Sequence, residues 1–343
     1  MNCLSQLRIA GPSFEWRQPM SFLTKLPRKH YEANAFERFD GNLERFDLGI
    51  ARAMAWACQL AYETDDAAKV ASIAEAWEIA IPPGGIISEE ILTPLPKAST
   101  QAILGDRADA IIIAFAGTDP LVVADWISDF DIAITASGTA NGFVVAAQAA
   151  AAKIDAVLST LPADKPIFVT GHSLGGALAV LEAQRFDAAH SARVRAVYTF
   201  GMPRTGSAAF AARYDQVLGA RTYRLVHGHD LVPTVAPSRF GFRHVGRHLH
   251  CARQGKFDAK SLAAVAGSDE PQFVQGVANE LNDLLHGSLS GVMSMAERLK
   301  VIAALTLGVR PGGMRSDPGA LMIELLPPTL RDHMPDRYIA AAS

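Results

Sequence analysis

The chain has 343 residues with 32 Lys and Arg against 35 Asp and Glu, a formal net charge of −3. This near balance leaves no electrostatic footprint for a nucleic-acid partner. Hydrophobic residues make up 49% and charged residues 20%, which excludes a disordered chain and predicts a compact globule. At roughly 150 residues per domain, the length accommodates one large domain with insertions.

Cys3, Cys58 and Cys251 stand far apart and form no C-x-x-C pair, so no disulfide framework is expected and a reducing compartment suits the chain. The first twenty residues hold no positive cluster followed by an apolar stretch. No secretory leader is therefore visible, and a cytoplasmic location is expected, with peripheral membrane contact compatible with it. The charge-free stretch 132–152 is broken by Ser137, Gly138, Asn141 and Gly142, so it reads as a loop entering an alanine-rich helix and no transmembrane segment is expected.

Residues 1–40 read as an N-terminal extension, with Lys25, Arg28, Lys29 and His30 in a solvated basic loop. A catalytic domain is expected over 41–343. Residues 43–62 carry apolar positions at helical spacing. Then strand and helix alternate: a strand over 110–115 (AIIIAF), a helix over 143–161, a strand over 167–170, a helix over 174–186, a strand over 194–200, a helix over 207–218 and a strand over 221–226. Short, continuous apolar runs separated by amphipathic helices indicate a mostly parallel central sheet with helices on both faces, an α/β fold. Residues 255–318 lack strand signals and read as a helical insertion or cap on that domain. A last strand is expected over 321–326, and the chain ends in DHMPDRYIAA, a helix start.

The most informative stretch is Thr170-Gly171-His172-Ser173-Leu174-Gly175-Gly176, a G-x-S-x-G string between a predicted strand and a predicted helix. A serine on such a turn stands above the sheet edge, and the flanking Gly171 and Gly175 leave room where a Cβ would clash. The helix N-terminus behind it favours a developing negative charge. Ser173 is the candidate nucleophile. His172, beside it, reads as elbow support through buried hydrogen bonding.

Four stretches in order, IIIAFAGT, GHSLGGALA, FGMPRTG and HDLVPTVAP followed by GFRHVG, together with a C-terminal Asp332-His333 segment, resemble the lipase class 3 family, the fungal-lipase-like α/β-hydrolases. The resemblance covers roughly 43–247 and the C-terminal segment. Two departures stand out: Ala116 replaces the arginine frequent in the family's F-R-G-T turn, and 255–318 has no counterpart in the compact fungal enzymes. By this resemblance Asp230, just past a strand end, is the acid of a Ser-His-Asp triad, and His333 is its histidine, with His244 and His248 as competitors. The oxyanion hole is assigned to the backbone of Leu174 and to Thr118.

Leu121, Val122, Val123, Trp126 and Ile127 follow the oxyanion turn, where a lid over an acyl groove is expected; Trp126 is equally readable as a core anchor. Val301, Ile302, Leu305 and Leu307 form a second apolar element. Each Å² of apolar area removed from water is worth roughly 25 cal/mol, so such a segment can hold a site closed in water and open at a lipid interface. The clusters His227, His229, Asp230 and His244, His248, His250 are loosely ligand-like but match no zinc pattern, so neither metal nor cofactor is expected. The expected activity is hydrolysis of lipid carboxylic esters through an acyl-enzyme. Its alternatives are a phospholipase A1 or short-chain esterase and, outside the class, a silent lipid-binding module or a metallohydrolase.

Overall fold

The computed structural model describes residues 24–91, 98–117, 135–190, 193–236, 238–263, 275–279, 326 and 328–343. Helices α1 (Leu48–Ala61) and α2 (Ala67–Ala76) lead into strands β1 (Ile79–Ala80), β2 (Ile86–Ile91) and β3 (Ala98–Arg107). The alternating centre follows: β4 (Ala110–Phe115), α3 (Asn141–Leu158), β5 (Ile167–His172), α4 (Leu174–His190), β6 (Val194–Phe200), β7 (Gly206–Ser207), α5 (Ala208–Val217) and β8 (Thr222–His227). After these come β9 (Phe242–Arg243), β10 (Arg247–Cys251) and the terminal helix α6 (Pro335–Ala342).

One sheet runs in the order β1-β3-β4-β5-β6-β8-β10, with β2 also paired on β3. The strands from β4 to β10 along this path pair in parallel, whereas β1, β2 and β4 are antiparallel to β3. Alternation along β4 divides the core. Ile112 and Ala114 face a layer built from α1, α6 and residues 31–39; Ile111, Ile113 and Phe115 face α3, α4 and α5. Covering both faces of a parallel sheet removes its strands from water, which is why they read as unbroken apolar runs. Helix α1 packs on the sheet and against α6 and is buried nearly all round. Its first turn is closed by Asp47, whose carboxylate accepts the Gly49 and Ile50 N–H groups at 2.7 and 3.1 Å, satisfying two donors that no helical carbonyl reaches.

Three differences from the sequence reading have physical causes. The antiparallel strands β2 and β3 were not anticipated, because IISEEI and ASTQAILGDR mix polar and apolar residues. The extension expected over 1–40 is part of the domain from residue 24 on: Phe36 stacks on Trp77 at 5.2 Å and Tyr31 donates to Glu63 at 2.9 Å. The histidines of 247–251 are held by a strand, β10, that turns Leu249 and Cys251 into the core. Of the insertion expected over 255–318, residues 255–263 and 275–279 are described. Residues 275–279 are helical, and Val277 packs against Val226 and Leu231 beside the end of β8. The strand expected over 321–326 lies outside the described residues except for Leu326. Among the described residues no helix is long and apolar enough to cross a membrane.

Candidate active site

Strand β5 runs through Gly171 and His172 and passes at Ser173 directly into α4. Closing that turn puts Ser173 at φ +58°, a left-handed conformation that costs a non-glycine residue about 1–2 kcal/mol. The glycines around it are there for space. A Cβ on Gly171 would lie 2.0 Å from the Gly175 carbonyl oxygen, and one on Gly175 would lie 2.5 Å from the Phe115 and Ala116 carbonyl oxygens. Helix and strand thus approach more closely than any side chain allows. The Ser173 N–H donates to the Phe200 carbonyl at 2.8 Å, which pins the elbow to the end of β6.

Asp230 follows β8, and its Oδ1 accepts the Val232 N–H at 2.8 Å. Its Oδ2 accepts the His333 Nδ1–H at 2.7 Å and also the Tyr338 hydroxyl. Carboxylate and imidazole are both fully buried. Gly201, at φ +61°, leaves room for the pair: a Cβ there would lie 2.6 Å from Asp230 Oδ2 and 2.8 Å from His333 Nδ1. Since Gly201 follows Phe200, the acid-histidine pair and the Ser173 turn converge on the same strand end. Ser173 Oγ and His333 Nε2 are both buried and find no partner among the described residues. Two such atoms cost free energy unless a reacting group uses them.

The segment carrying His333 is tied to the Asp230 loop by its preceding residue. The buried Asp332 carboxylate accepts the Arg253 Nε–H at 2.8 and 2.9 Å and the His229 backbone N–H at 2.8 Å. Gly228, at φ +56°, lets it in: a Cβ there would lie 2.4 Å from Asp332 Oδ2.

His172 is also buried. Its Nδ1 meets the Tyr62 hydroxyl and its Nε2 the His333 carbonyl oxygen, each at 2.7 Å. Burial, reinforced by the neighbouring His333, depresses its basicity well below the ordinary range, so the ring is neutral.

Of the competing histidines, His244 is buried and its Nε2–H donates to the Pro233 carbonyl at 2.9 Å. His248 is likewise buried in β10, where burial and Arg224 push its basicity down. Neither is hydrogen-bonded to Asp230, whose Oδ2 takes His333 and Tyr338. His250 donates to the Gly228 carbonyl at 2.7 Å. Among the described residues no group of three His, Cys, Asp or Glu is placed to hold a metal.

Leu174 opens α4, where its N–H lies beyond the reach of any intrahelical acceptor. Thr118 and the expected lid residues Val122, Val123, Trp126 and Ile127 lie outside the described residues. Two tyrosines at the site were not singled out from sequence, Tyr62 and Tyr338. Tyr338 stands in the DHMPDRY segment, one helical turn past Met334, and that spacing was its only signal. Tyr62, at the end of α1, had none, because its partners lie 55 and 110 residues away.

The architecture is that of the α/β-hydrolases. Lipase II from Rhizopus niveus superposes with a TM-score of 0.50 at 18% identity, over 63% of this chain and 86% of that one. Residues 112–240 match the model of the family described as Lipase (class 3). The secreted mono- and diacylglycerol lipase LIP4 of Malassezia restricta is 44% identical over 81 residues, which is 24% of this chain and 27% of that protein. Secreted mono- and diacylglycerol lipase 1 of Fusarium solani is 36% identical over 150 residues, 39% of this chain and 41% of that protein. The chain therefore matches less than half the length of either relative.

These relatives also correct one expectation. Both are described as secreted, which overturns the cytoplasmic location inferred from the first twenty residues. A visible basic-apolar leader is only one route of export, so failing to see one carried little weight against it.

Proposed function

We propose that the chain hydrolyses carboxylic esters of lipids, with Ser173 as nucleophile, His333 as general base and acid, and Asp230 as the group that orients it. Attack of Ser173 Oγ on the ester carbonyl transfers its proton to His333 Nε2, and the departing alcohol takes that proton up. Water, deprotonated by the same nitrogen, then releases the acyl group as a carboxylate. The Leu174 N–H and Thr118 are proposed to stabilise the oxyanion. The observation that carries this reading is the buried Asp230–His333 pair, with Nε2 left unpartnered at the strand end where the strained Ser173 turn is anchored.

The substrates named for the Malassezia and Fusarium relatives, mono- and diacylglycerols, are proposed as the first to assay, and an extracellular site of action follows the same comparison. Transient contact with a lipid interface accompanies such substrates. The test is a panel of p-nitrophenyl esters from short to long acyl chains beside emulsified mono-, di- and triacylglycerols, with wild type and Ser173→Ala in parallel. Turnover of glycerides lost in Ser173→Ala supports the proposal. Turnover that survives the substitution, or that a chelator removes, contradicts it.

A further inference from the structure

We propose that Tyr62 and His172 form a relay that positions the oxyanion turn relative to the catalytic histidine. It rests on the triad reading and goes beyond it, because neither side chain takes part in the chemistry of acyl transfer.

The direction of every bond in the relay is fixed. The His333 carbonyl oxygen only accepts, so His172 Nε2 carries the proton it donates there at 2.7 Å. In the neutral ring Nδ1 is then an acceptor, and the Tyr62 hydroxyl must donate to it at 2.7 Å. The Tyr62 oxygen in turn accepts the Gly117 N–H at 3.0 Å. One chain of three hydrogen bonds runs from the turn after β4, through Tyr62 and His172, to the backbone of His333.

The turn needs that tether. Gly117 cannot carry a side chain, since a Cβ would lie 2.5 Å from Ser173 Cβ and 2.7 Å from the Tyr62 hydroxyl. A glycine beside the nucleophile has more backbone freedom than any other residue, yet the next residue, Thr118, is the proposed oxyanion donor. The Tyr62 hydroxyl supplies the restraint that a Cβ cannot. Both partners are buried. Tyr62 caps the end of α1, and His172 packs against the His333 ring at 4.6 Å between centroids. Tyr62 and His172 are positioning residues: they hold two halves of the site in register, and a misplacement of about 1 Å at a reacting centre is enough to cost about a hundredfold in rate.

Tyr62→Phe removes one oxygen and leaves the ring. Active sites are first titrated with a fluorophosphonate, and kcat per titrated site is then compared with KM on a soluble ester and with inhibition by an alkylboronic acid, whose tetrahedral adduct places an oxygen in the oxyanion hole. The relay predicts a kcat about 10- to 100-fold lower, KM within about twofold, and weaker boronic-acid inhibition in proportion. A lowered melting temperature with unchanged kcat per site and unchanged boronic-acid affinity overturns it. A second pair of variants covers the case of a poorly folding Tyr62→Phe. His172→Gln keeps a neutral acceptor and donor, whereas His172→Leu keeps only buried bulk. The relay requires the Gln variant to be at least tenfold more active per site, and equal activities contradict it. Failure of wild type to label at Ser173 sinks the triad reading and the relay with it; normal labelling with the contrary results above sinks the relay alone.

Discussion

Asp230 and Tyr338 meet on a single oxygen: the Tyr338 hydroxyl donates to Asp230 Oδ2, the same atom that accepts the His333 Nδ1–H. Burial, and then the adjacent Asp230 charge, hold the Tyr338 hydroxyl protonated far above its ordinary range, so it remains a donor at every working pH. It gives that oxygen a second donor beside the histidine. Tyr338→Phe leaves a buried carboxylate short of one donor, and the expected loss is about 2 kcal/mol of stability. Denaturant titration checks this, and kcat is expected to fall about tenfold with Ser173 still reactive toward a fluorophosphonate.

The strain at Ser173 separates stability from activity. Glycine occupies φ +58° without penalty, so Ser173→Gly is expected to be inactive and yet about 1 kcal/mol more stable than Ser173→Ala, which keeps the strained φ. A thermal scan of the two inactive variants decides it. Equal melting temperatures would mean that the turn is not under strain.

Gly201 offers the converse experiment. Gly201→Ala adds one methyl, placed 2.6 Å from Asp230 Oδ2 at a backbone φ of +61°, and the carboxylate or the histidine must move. The expected result is loss of at least two orders of magnitude in kcat/KM, with the secondary structure retained by circular dichroism.

Acid sensitivity should come from buried neutral histidines. His172, His244 and His248 all have basicities depressed by burial first, with nearby positive groups adding to it. Below about pH 6.5 the unfolded chain takes up a proton at each while the folded chain does not, so stability is retained above that pH and falls as pH drops through it. The buried carboxyl of Glu182 and the half-buried one of Asp215, both raised by desolvation, act in the opposite sense. They cancel when a variant is compared with wild type. His244→Gln can keep the bond to the Pro233 carbonyl, and its stability is expected to fall less steeply between pH 6 and pH 5, by about one proton's worth, or about 1.4 kcal/mol per pH unit.

The parts of this molecule that could be read from sequence are those whose physics is local. AIIIAF and IFVT announce strands because both of their faces are buried, and the turn at Ser173 announces itself because Gly171 and Gly175 admit no Cβ. The pairing of Asp230 with His333 spans 103 residues and came only from a resemblance to a family, since ten histidines were available and spacing alone did not separate them. Tyr62 and Tyr338 were missed because a buried hydroxyl leaves no local pattern. Its partner is chosen by the fold, where α1 and α6 lie side by side under the sheet. The antiparallel strands β2 and β3 were missed because half of their residues are polar.

The central claim is that Ser173 is the nucleophile of an ester hydrolase, activated by His333. Labelling with a fluorophosphonate followed by peptide mass spectrometry tests it most directly. The expected result is a single adduct on Ser173 in wild type, none in Ser173→Ala, and labelling slowed by several orders of magnitude in His333→Ala but close to the wild-type rate in His244→Gln. An adduct on another residue, or unchanged labelling in His333→Ala, would contradict it.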